Sequence, residues 1–119
     1  MTISTLPEPV AAYIAATNSF DIDALMATFA EDALVNDHRD EFAGGDAIRT
    51  WAQREIIDDR VTMEVIEAKR RGDSAALSAI VRGNFDKTGL PDPVVLTFYF
   101  SVSFSRIVQL IIVLNKAKA

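Results

Sequence analysis

Residues 31–51 contain the side chains best suited to acid–base chemistry. An apolar stretch, residues 33–35, leads directly into Asp37 and His38. A carboxylate at the end of a strand that faces an apolar cavity is made more basic by desolvation, and so becomes suited to general-base work. Asp37 is therefore the first catalytic candidate. The alternative is that Asp37 only caps the turn through residues 36–40, as aspartate commonly does.

The only histidine of the chain follows this aspartate. Histidine titrates near neutral pH, so His38 would serve as an acid or base if an irregular turn brought it into the cavity. Continued strand alternation instead points it away from Asp37, and an exposed loop histidine is the commoner case.

No metal and no cofactor are predicted. A metal site built from Asp37, His38 and Asp40 is disfavoured, because one histidine among clustered acids lacks the second nitrogen donor typical of transition-metal sites. Motifs for phosphate loops, dinucleotide binding and serine nucleophiles are absent from the sequence.

Three amphipathic helices are predicted to position these residues. The first begins at Pro7 and Pro9, which suit the first helical turn. The second is capped by Asp21, and the third follows Gly44 and Gly45. Apolar residues spaced three and four apart mark the buried faces: Val10, Tyr13, Ile14 and Thr17, then Ile22, Leu25, Met26 and Phe29, then Ile48, Trp51, Ala52 and Ile56.

An antiparallel meander of four strands is predicted for the second half of the chain. The strands cover residues 61–68, 74–85, 94–104 and 106–114, with a bulge near Ile66, a tight turn at Gly72 and Asp73, and a loop at residues 86–93. On the third of these strands, alternation places Phe98 and Phe100 on the core face and Tyr99 on the other. The last strand is apolar at nearly every position, so we expect a second copy of the chain to cover its outer face, forming a homodimer.

The composition indicates one soluble domain, residues 1–119. The chain has 119 residues, 50% of them hydrophobic, which is enough for one core and too few for two ordinary domains. It has no cysteine, which excludes disulfides and thiolate catalysis. A net charge of -5 argues against nucleic acid as a partner. The first ten residues do not resemble a signal peptide and no apolar run is long enough to span a membrane, so we expect a cytoplasmic protein without a membrane partner.

These elements predict an α+β fold. Three helices would pack on one face of a curved, mostly antiparallel sheet, with one early strand at residues 33–35 inserted between the helices. A curved sheet closed by helices encloses a cone-shaped cavity, which is a natural site for a small molecule.

Three segments of the chain carry a family resemblance. They are YIAATNSFD at residues 13–21, FAEDA at residues 29–33 and GGDAIRTW at residues 44–51. With the order of elements, they resemble the NTF2-like superfamily, in particular its SnoaL-like polyketide cyclase and ketosteroid isomerase branches. The resemblance covers nearly the whole chain and implies the NTF2-like cone. This superfamily includes enzymes, binding modules and transport factors.

The isomerase branch implies roles for individual residues. There, a tyrosine on the first helix donates a hydrogen bond to the developing enolate oxygen, and an aspartate after the first strand moves the proton. Tyr13 and Asp37 match these positions with the same separation along the chain. The second donor of that branch is a protonated aspartic acid on a late strand. Phe98 occupies that position here, while the neighbouring Tyr99 points away from the core. Losing one such donor costs about 3 kcal/mol, roughly a hundredfold in rate, which implies slow steroid isomerisation.

Our leading hypothesis is a cofactor-independent isomerase, cyclase or dehydratase that acts next to a carbonyl of a small apolar substrate. Polycyclic compounds are among the substrates considered. Asp37 would remove or relay a proton, and Tyr13 would polarise the carbonyl oxygen. The predicted substrate contacts are Trp51, Phe98, Phe100, Phe29 and His38. Core packing is the simpler role for the aromatic residues among them and for Tyr13.

Three alternatives use the same fold. One is a non-catalytic module that binds a small apolar ligand, with Asp37 orienting it. Another is a pure dimerisation domain whose side chains fill the cavity. The third is an epoxide-hydrolysing enzyme that pairs Asp37 with Arg82, the only arginine in the middle of a predicted strand.

Overall fold

The computed structural model of the chain describes residues 6–115, and the three predicted helices are present in it. They are α1 Glu8–Asn18, α2 Ile22–Met26 and α3 Gly45–Ala52, the last continuing as a π-helical turn, Gln53–Ile57. The Asp21 side chain caps α2 by accepting a hydrogen bond from the Ala24 N–H at 3.0 Å. Gly44 turns the chain into α3 with a φ of 87°, which favours glycine. No helix within residues 6–115 is long and apolar enough to cross a membrane.

A six-stranded sheet forms the second layer. Its strands are β1 Phe29–Asp37, β2 Asp40–Ala43, β3 Thr62–Arg71, β4 Ser74–Arg82, β5 Val95–Ser103 and β6 Arg106–Leu114. They lie in the order β2-β1-β6-β5-β4-β3, and all neighbours are antiparallel except β1 and β6. The helices pack on one face of this curved sheet, so the predicted α+β architecture is confirmed.

The first two strands differ from the prediction. β1 begins at Phe29, which the helical spacing assigned to the buried stripe of α2, and it is nine residues long rather than three. Its alternation is concealed because Glu31 and Asp32 are consecutive exposed positions at a shift of register. β2 has no clear sequence signal, since it is a short edge strand in which only Phe42 is partly buried. The resulting hairpin holds Asp37 at a turn.

The β3–β4 hairpin agrees with the sequence up to Arg82. The register shifts between Val65 and Glu67, which confirms the bulge. β4 ends before residue 85 because the chain there crosses the segment that precedes β3. A Cβ atom at Gly83 would lie 2.8 Å from the Asp59 carbonyl oxygen, and the Asn84 N–H donates to that oxygen at 2.7 Å. The chain therefore leaves the sheet at Gly83.

The core lies between the helices and the inner face of the sheet. Its largest fully buried side chains are Trp51, Tyr13, Phe100, Leu25, Ile48, Leu77, Ile107 and Leu110. The alternation predicted for β5 is confirmed, because Phe98 and Phe100 are buried while Tyr99 is 47% exposed.

The last residue of α1 fixes that helix to the sheet. The Asn18 side-chain amide donates from Nδ2 to the Met63 carbonyl oxygen at 3.0 Å, and its Oδ1 accepts from the Met63 N–H at 2.7 Å. The buried face of α1 is thereby held against the sheet, where it can line a cavity.

Candidate functional site

A cavity of about 440 Å³ lies between the helices and the inner face of the sheet, a volume within the range of about 300–1,000 Å³ typical of small-molecule sites. Its walls are mainly apolar: Trp51, Ile56, Val61, Met63, Val81, Phe85, Leu90, Val94, Leu96, Phe98, Ile112 and Leu114. The polar lining residues are Tyr13, Thr17, Asp37, His38, Glu55, Asp59, Asp86 and Thr88. An unfilled cavity argues against the alternative of a pure dimerisation domain.

Two polar lining residues are buried, Tyr13 and Thr17, which lie one helical turn apart on α1 and are each 1% exposed; we call them the buried end of the cavity. Aromatic rings hold the Tyr13 ring in place, with centroids 6.0 Å away for Phe29 and 5.2 Å away for Phe100. Burial raises the pKa of the Tyr13 phenol well above its ordinary value, and the nearby Asp37 carboxylate raises it further. The polar Thr17 hydroxyl near the phenol lowers this pKa by less. Tyr13 is therefore a neutral O–H donor.

Asp37 reaches the cavity from the end of β1. The indole Nε1–H of Trp51 donates to its Oδ2 at 3.0 Å, and the Trp51 ring is itself buried against Phe42 at 6.1 Å. Within residues 6–115, the Asp37 carboxylate accepts no hydrogen bond from the backbone of the turn. The Asp37 side chain is thus oriented by Trp51 of α3 and does not cap the turn.

His38 occupies the turn of the β1–β2 hairpin with a φ of 59°. This positive φ ends the strand alternation that would point His38 away from Asp37, so its side chain also lines the cavity. As expected for a loop histidine, it is exposed, at 54% of the side chain. Its Nε2 lies 3.9 Å from Asp37 Oδ1, which is beyond hydrogen-bond distance.

The three phenylalanines predicted to contact a substrate have different positions. Phe98 is among the lining residues, whereas Phe29 and Phe100 are not. Both of these side chains are buried in the core, but they pack edge-on against the Tyr13 ring. They therefore support the Tyr13 ring, and we do not keep them among the candidate ligand contacts.

The cavity rim, defined as the exposed lining residues His38, Glu55, Asp86 and Thr88, carries two carboxylates. Four carboxylates line the cavity: Glu55 and Asp86 at the rim, Asp37, and the half-buried Asp59. The lining residues include no lysine or arginine. Arg82 is exposed and pairs with Glu64 at 2.9 Å. It is not among the lining residues, so the pairing of Arg82 with Asp37 has no support in the geometry.

Two rim carboxylates already have partners. Arg54 Nε donates to Glu55 at 2.9 Å, and the Thr88 N–H donates to Asp86 at 2.9 Å. The hydrogen bonds from Thr88 hold the pKa of Asp86 below its ordinary value, so that carboxyl stays ionised.

Four polar lining residues are not among the site residues predicted from the sequence: Thr17, Glu55, Asp59 and Asp86. A signal existed for Thr17, since it is a hydroxyl on the apolar stripe of the first helix, one turn after Tyr13. The acidic residues had none, because they come from the π-helical turn and from loops, whose paths follow no periodic pattern. Within residues 6–115, no group of three histidines or acidic residues could hold a metal ion.

Comparisons with known proteins agree with this architecture. The model of the SnoaL-like domain matches residues 10–110. A solved structure of a proposed polyketide cyclase from Sinorhizobium meliloti is 34% identical, with a TM-score of 0.84 over 95% of this chain and 100% of its own. A hypothetical protein of ketosteroid isomerase-like fold from Catenulispora acidiphila, solved in complex with trimethylamine, is 26% identical, with a TM-score of 0.74 over 91% of this chain and 85% of its own.

An NTF2-like protein of unknown function from Cytophaga hutchinsonii has the same fold, at 13% identity and a TM-score of 0.74 over 91% of this chain and 88% of its own. No curated protein is significantly similar to this chain in sequence.

Proposed function

Since the chain belongs to the SnoaL-like family, we propose that its cavity carries out a cofactor-independent acid–base reaction next to a carbonyl of a small apolar substrate. The reaction class is isomerisation, cyclisation or dehydration. The observation that carries the proposal is the Asp37 carboxylate, held by Trp51 in an otherwise apolar cavity whose buried end is the neutral Tyr13 phenol.

Asp37 is the base in this proposal. Its Oδ2 is occupied by the Trp51 indole N–H, whereas Oδ1 lies 3.9 Å from the nearest cationic candidate, His38. Oδ1 is therefore available to take a proton from the carbon next to the carbonyl. The Trp51 contact fixes the carboxylate without protonating it, since an indole N–H donates but does not titrate in this range.

Tyr13 is the electrophilic partner. Its phenol is a neutral donor in a dry environment, where a hydrogen bond to developing negative charge is worth more than in water. The ring contacts with Phe29 and Phe100 preorganise it. A carbonyl oxygen at the buried end would thus gain charge next to a donor that is already in place.

The relatives support the class of reaction and leave the substrate open. The Sinorhizobium meliloti protein is described as a proposed polyketide cyclase. The Catenulispora acidiphila protein was solved in complex with trimethylamine, and the competing idea is a module that only binds small molecules. In that alternative, Asp37 orients the ligand and no turnover follows.

Double-bond migration in a β,γ-unsaturated cyclic ketone, followed by ultraviolet absorbance, tests the proposal. Asp37→Asn keeps an oxygen that can accept from Trp51 but removes the base, so turnover should fall about 100- to 10,000-fold with the fold intact. Asp40→Asn is the matched control, because Asp40 pairs with Asp37 across the same hairpin and is not a lining residue. Full activity in Asp37→Asn would refute the assignment. Binding without turnover in the parent protein would favour the binding module.

We also propose that two copies of the chain pair through the outer face of the sheet. Ala76, Tyr99 and Ile111 form a row across β4, β5 and β6, and Tyr99 is 47% exposed. Burying such a self-complementary row around a two-fold axis removes apolar surface from water on both copies.

Light scattering at micromolar concentration tests the pairing. The parent protein and Tyr99→Phe should be dimers, and Tyr99→Glu should be a monomer because the pairing would bury an uncompensated charge. A monomeric parent protein would refute the pairing.

A further inference from the structure

The Thr17 side chain is buried and lacks a hydrogen-bond partner. It is 1% exposed and lines the cavity, and its Oγ1 makes no hydrogen bond of normal geometry within the described part of the chain, although it lies near enough to the Tyr13 phenol to lower the pKa of that group. Leaving a buried hydroxyl unsatisfied lowers stability. Such a group therefore calls for an explanation in terms of function.

A second buried threonine provides the contrast. Threonines in helices commonly donate to a carbonyl in the preceding turn, and Thr28, just after α2, does so: its Oγ1 lies 2.7 Å from the Leu25 carbonyl oxygen. Thr28 is not among the lining residues of the cavity. The hydroxyl without a partner is thus the one that borders the cavity.

We propose that Thr17 is the second hydrogen-bond donor of the site, and that Tyr13 and Thr17 together bind the carbonyl oxygen of the substrate. This rests on the proposed function. The two side chains are one helical turn apart on the same buried face, so one ligand oxygen between them can accept from both hydroxyls. The side chains with which β5 and β6 line the cavity, Phe98 among them, are all apolar, so α1 supplies both donors.

The proposed step balances as a proton transfer. Asp37 Oδ1 takes the proton from the carbon next to the carbonyl, and the C–H electrons become the C=C bond of an enolate. The carbonyl π electrons move onto the oxygen held by Tyr13 and Thr17. For an isomerisation, the protonated Asp37 then returns the proton to the far carbon of the conjugated system, and no other reactant is consumed.

The lining also defines the class of substrate. Four carboxylates and no lysine or arginine face the cavity, so a carboxylate or phosphate substrate would be repelled and find no counterion. The donors at the buried end are neutral and suit an uncharged oxygen that gains charge only during the reaction. Among ligands that carry an oxygen, these two features favour a neutral ketone, or the enol or phenol that mimics its intermediate, over an anion.

Calorimetric titration with 2-naphthol, a flat phenol that mimics a dienol, tests this inference without requiring turnover. Thr17→Val should weaken binding about threefold to tenfold, the loss expected for one neutral hydrogen bond, and should raise Tm because it removes an unsatisfied hydroxyl. Thr17→Ser keeps the hydroxyl and should bind like the parent protein. Thr28→Val, the matched control, should bind like the parent protein but lower Tm.

Four results would overturn the inference. They are parent-like binding in Thr17→Val, weakened binding in Thr17→Ser, no binding of 2-naphthol by the parent protein, and equal binding of 2-naphthoate, which has similar size and a carboxylate. Asp37→Asn separates this inference from the proposed function. If that variant binds 2-naphthol and keeps full turnover, Asp37 is not the base. The role of Thr17 is still decided by the binding of 2-naphthol to the Thr17 variants.

Discussion

The two ends of the cavity treat their polar side chains differently. At the rim, Glu55 pairs with Arg54 and Asp86 accepts from the backbone of Thr88. At the buried end, the Thr17 hydroxyl has no partner within residues 6–115. The two carboxylates at the rim are thus satisfied by the protein although solvent also reaches them, whereas a hydroxyl in the buried interior has no hydrogen bond of normal geometry among the described residues. The contrast teaches that burial without a partner, more than acidity, marks where a ligand is held.

The largest effect on turnover outside Asp37 is expected from the phenol at the buried end. Tyr13→Phe keeps the ring contacts but removes the donor, so turnover of the cyclic ketone should fall about 100- to 1,000-fold. Thermal melting should change little, because the ring packs as before. Steady-state kinetics with a melting curve measure both quantities. Near-parent turnover would mean that the buried end contributes no more to turnover than the rim does.

An intermediate effect is expected at Trp51, the residue that orients the Asp37 carboxylate. Trp51→Phe removes the hydrogen bond to Asp37 Oδ2 and leaves the carboxylate less well oriented, so kcat should fall about tenfold, the value of one hydrogen bond to a charged group. Phe42→Leu is the control, because Phe42 packs against Trp51 and is not a lining residue. An equal fall in both variants would point to general loosening of the hairpin.

The smallest effect is expected at the rim. Asp86→Asn should leave turnover unchanged, because Asp86 is already satisfied by Thr88. Its folded-state pKa is depressed, so its stabilising contribution is present above the ordinary carboxyl pKa and is lost as pH falls through the folded value. Tm measured against pH should therefore drop slightly less steeply in acid for Asp86→Asn than for the parent protein. A loss of turnover in this variant would erase the distinction between the two ends.

The regular elements of the fold could be predicted because their signals are local. The apolar spacing of α1, the Asp21 cap and the alternation of Phe98, Tyr99 and Phe100 depend only on neighbouring residues. β1 was harder to read because two consecutive exposed acids mask its start, and β2 buries too little to leave a pattern. Local order is thus readable wherever one face of an element is consistently buried.

The site was less predictable because it depends on packing between distant segments. Helical spacing placed Phe29 inside and strand parity placed Phe100 inside, but only the position of the Tyr13 ring decides that they lie behind it rather than at the cavity. The contact of Trp51 with Asp37 joins α3 to the end of β1, and no spacing rule implies it. For Thr17, helical spacing predicted the correct face, but no local pattern indicates that its hydroxyl would lack a partner.

The two hydrogen bonds between Asn18 and Met63 have a consequence for association of the folded chain. β3 is an edge strand, and Met63 directs its N–H and carbonyl oxygen toward Asn18, away from β4. The amide of Asn18 thereby takes the place that a strand from another molecule would need. The rest of that edge carries charged side chains up to Arg71, and the opposite edge, β2, is only four residues long. Both borders of the sheet are thus protected against edge-to-edge aggregation.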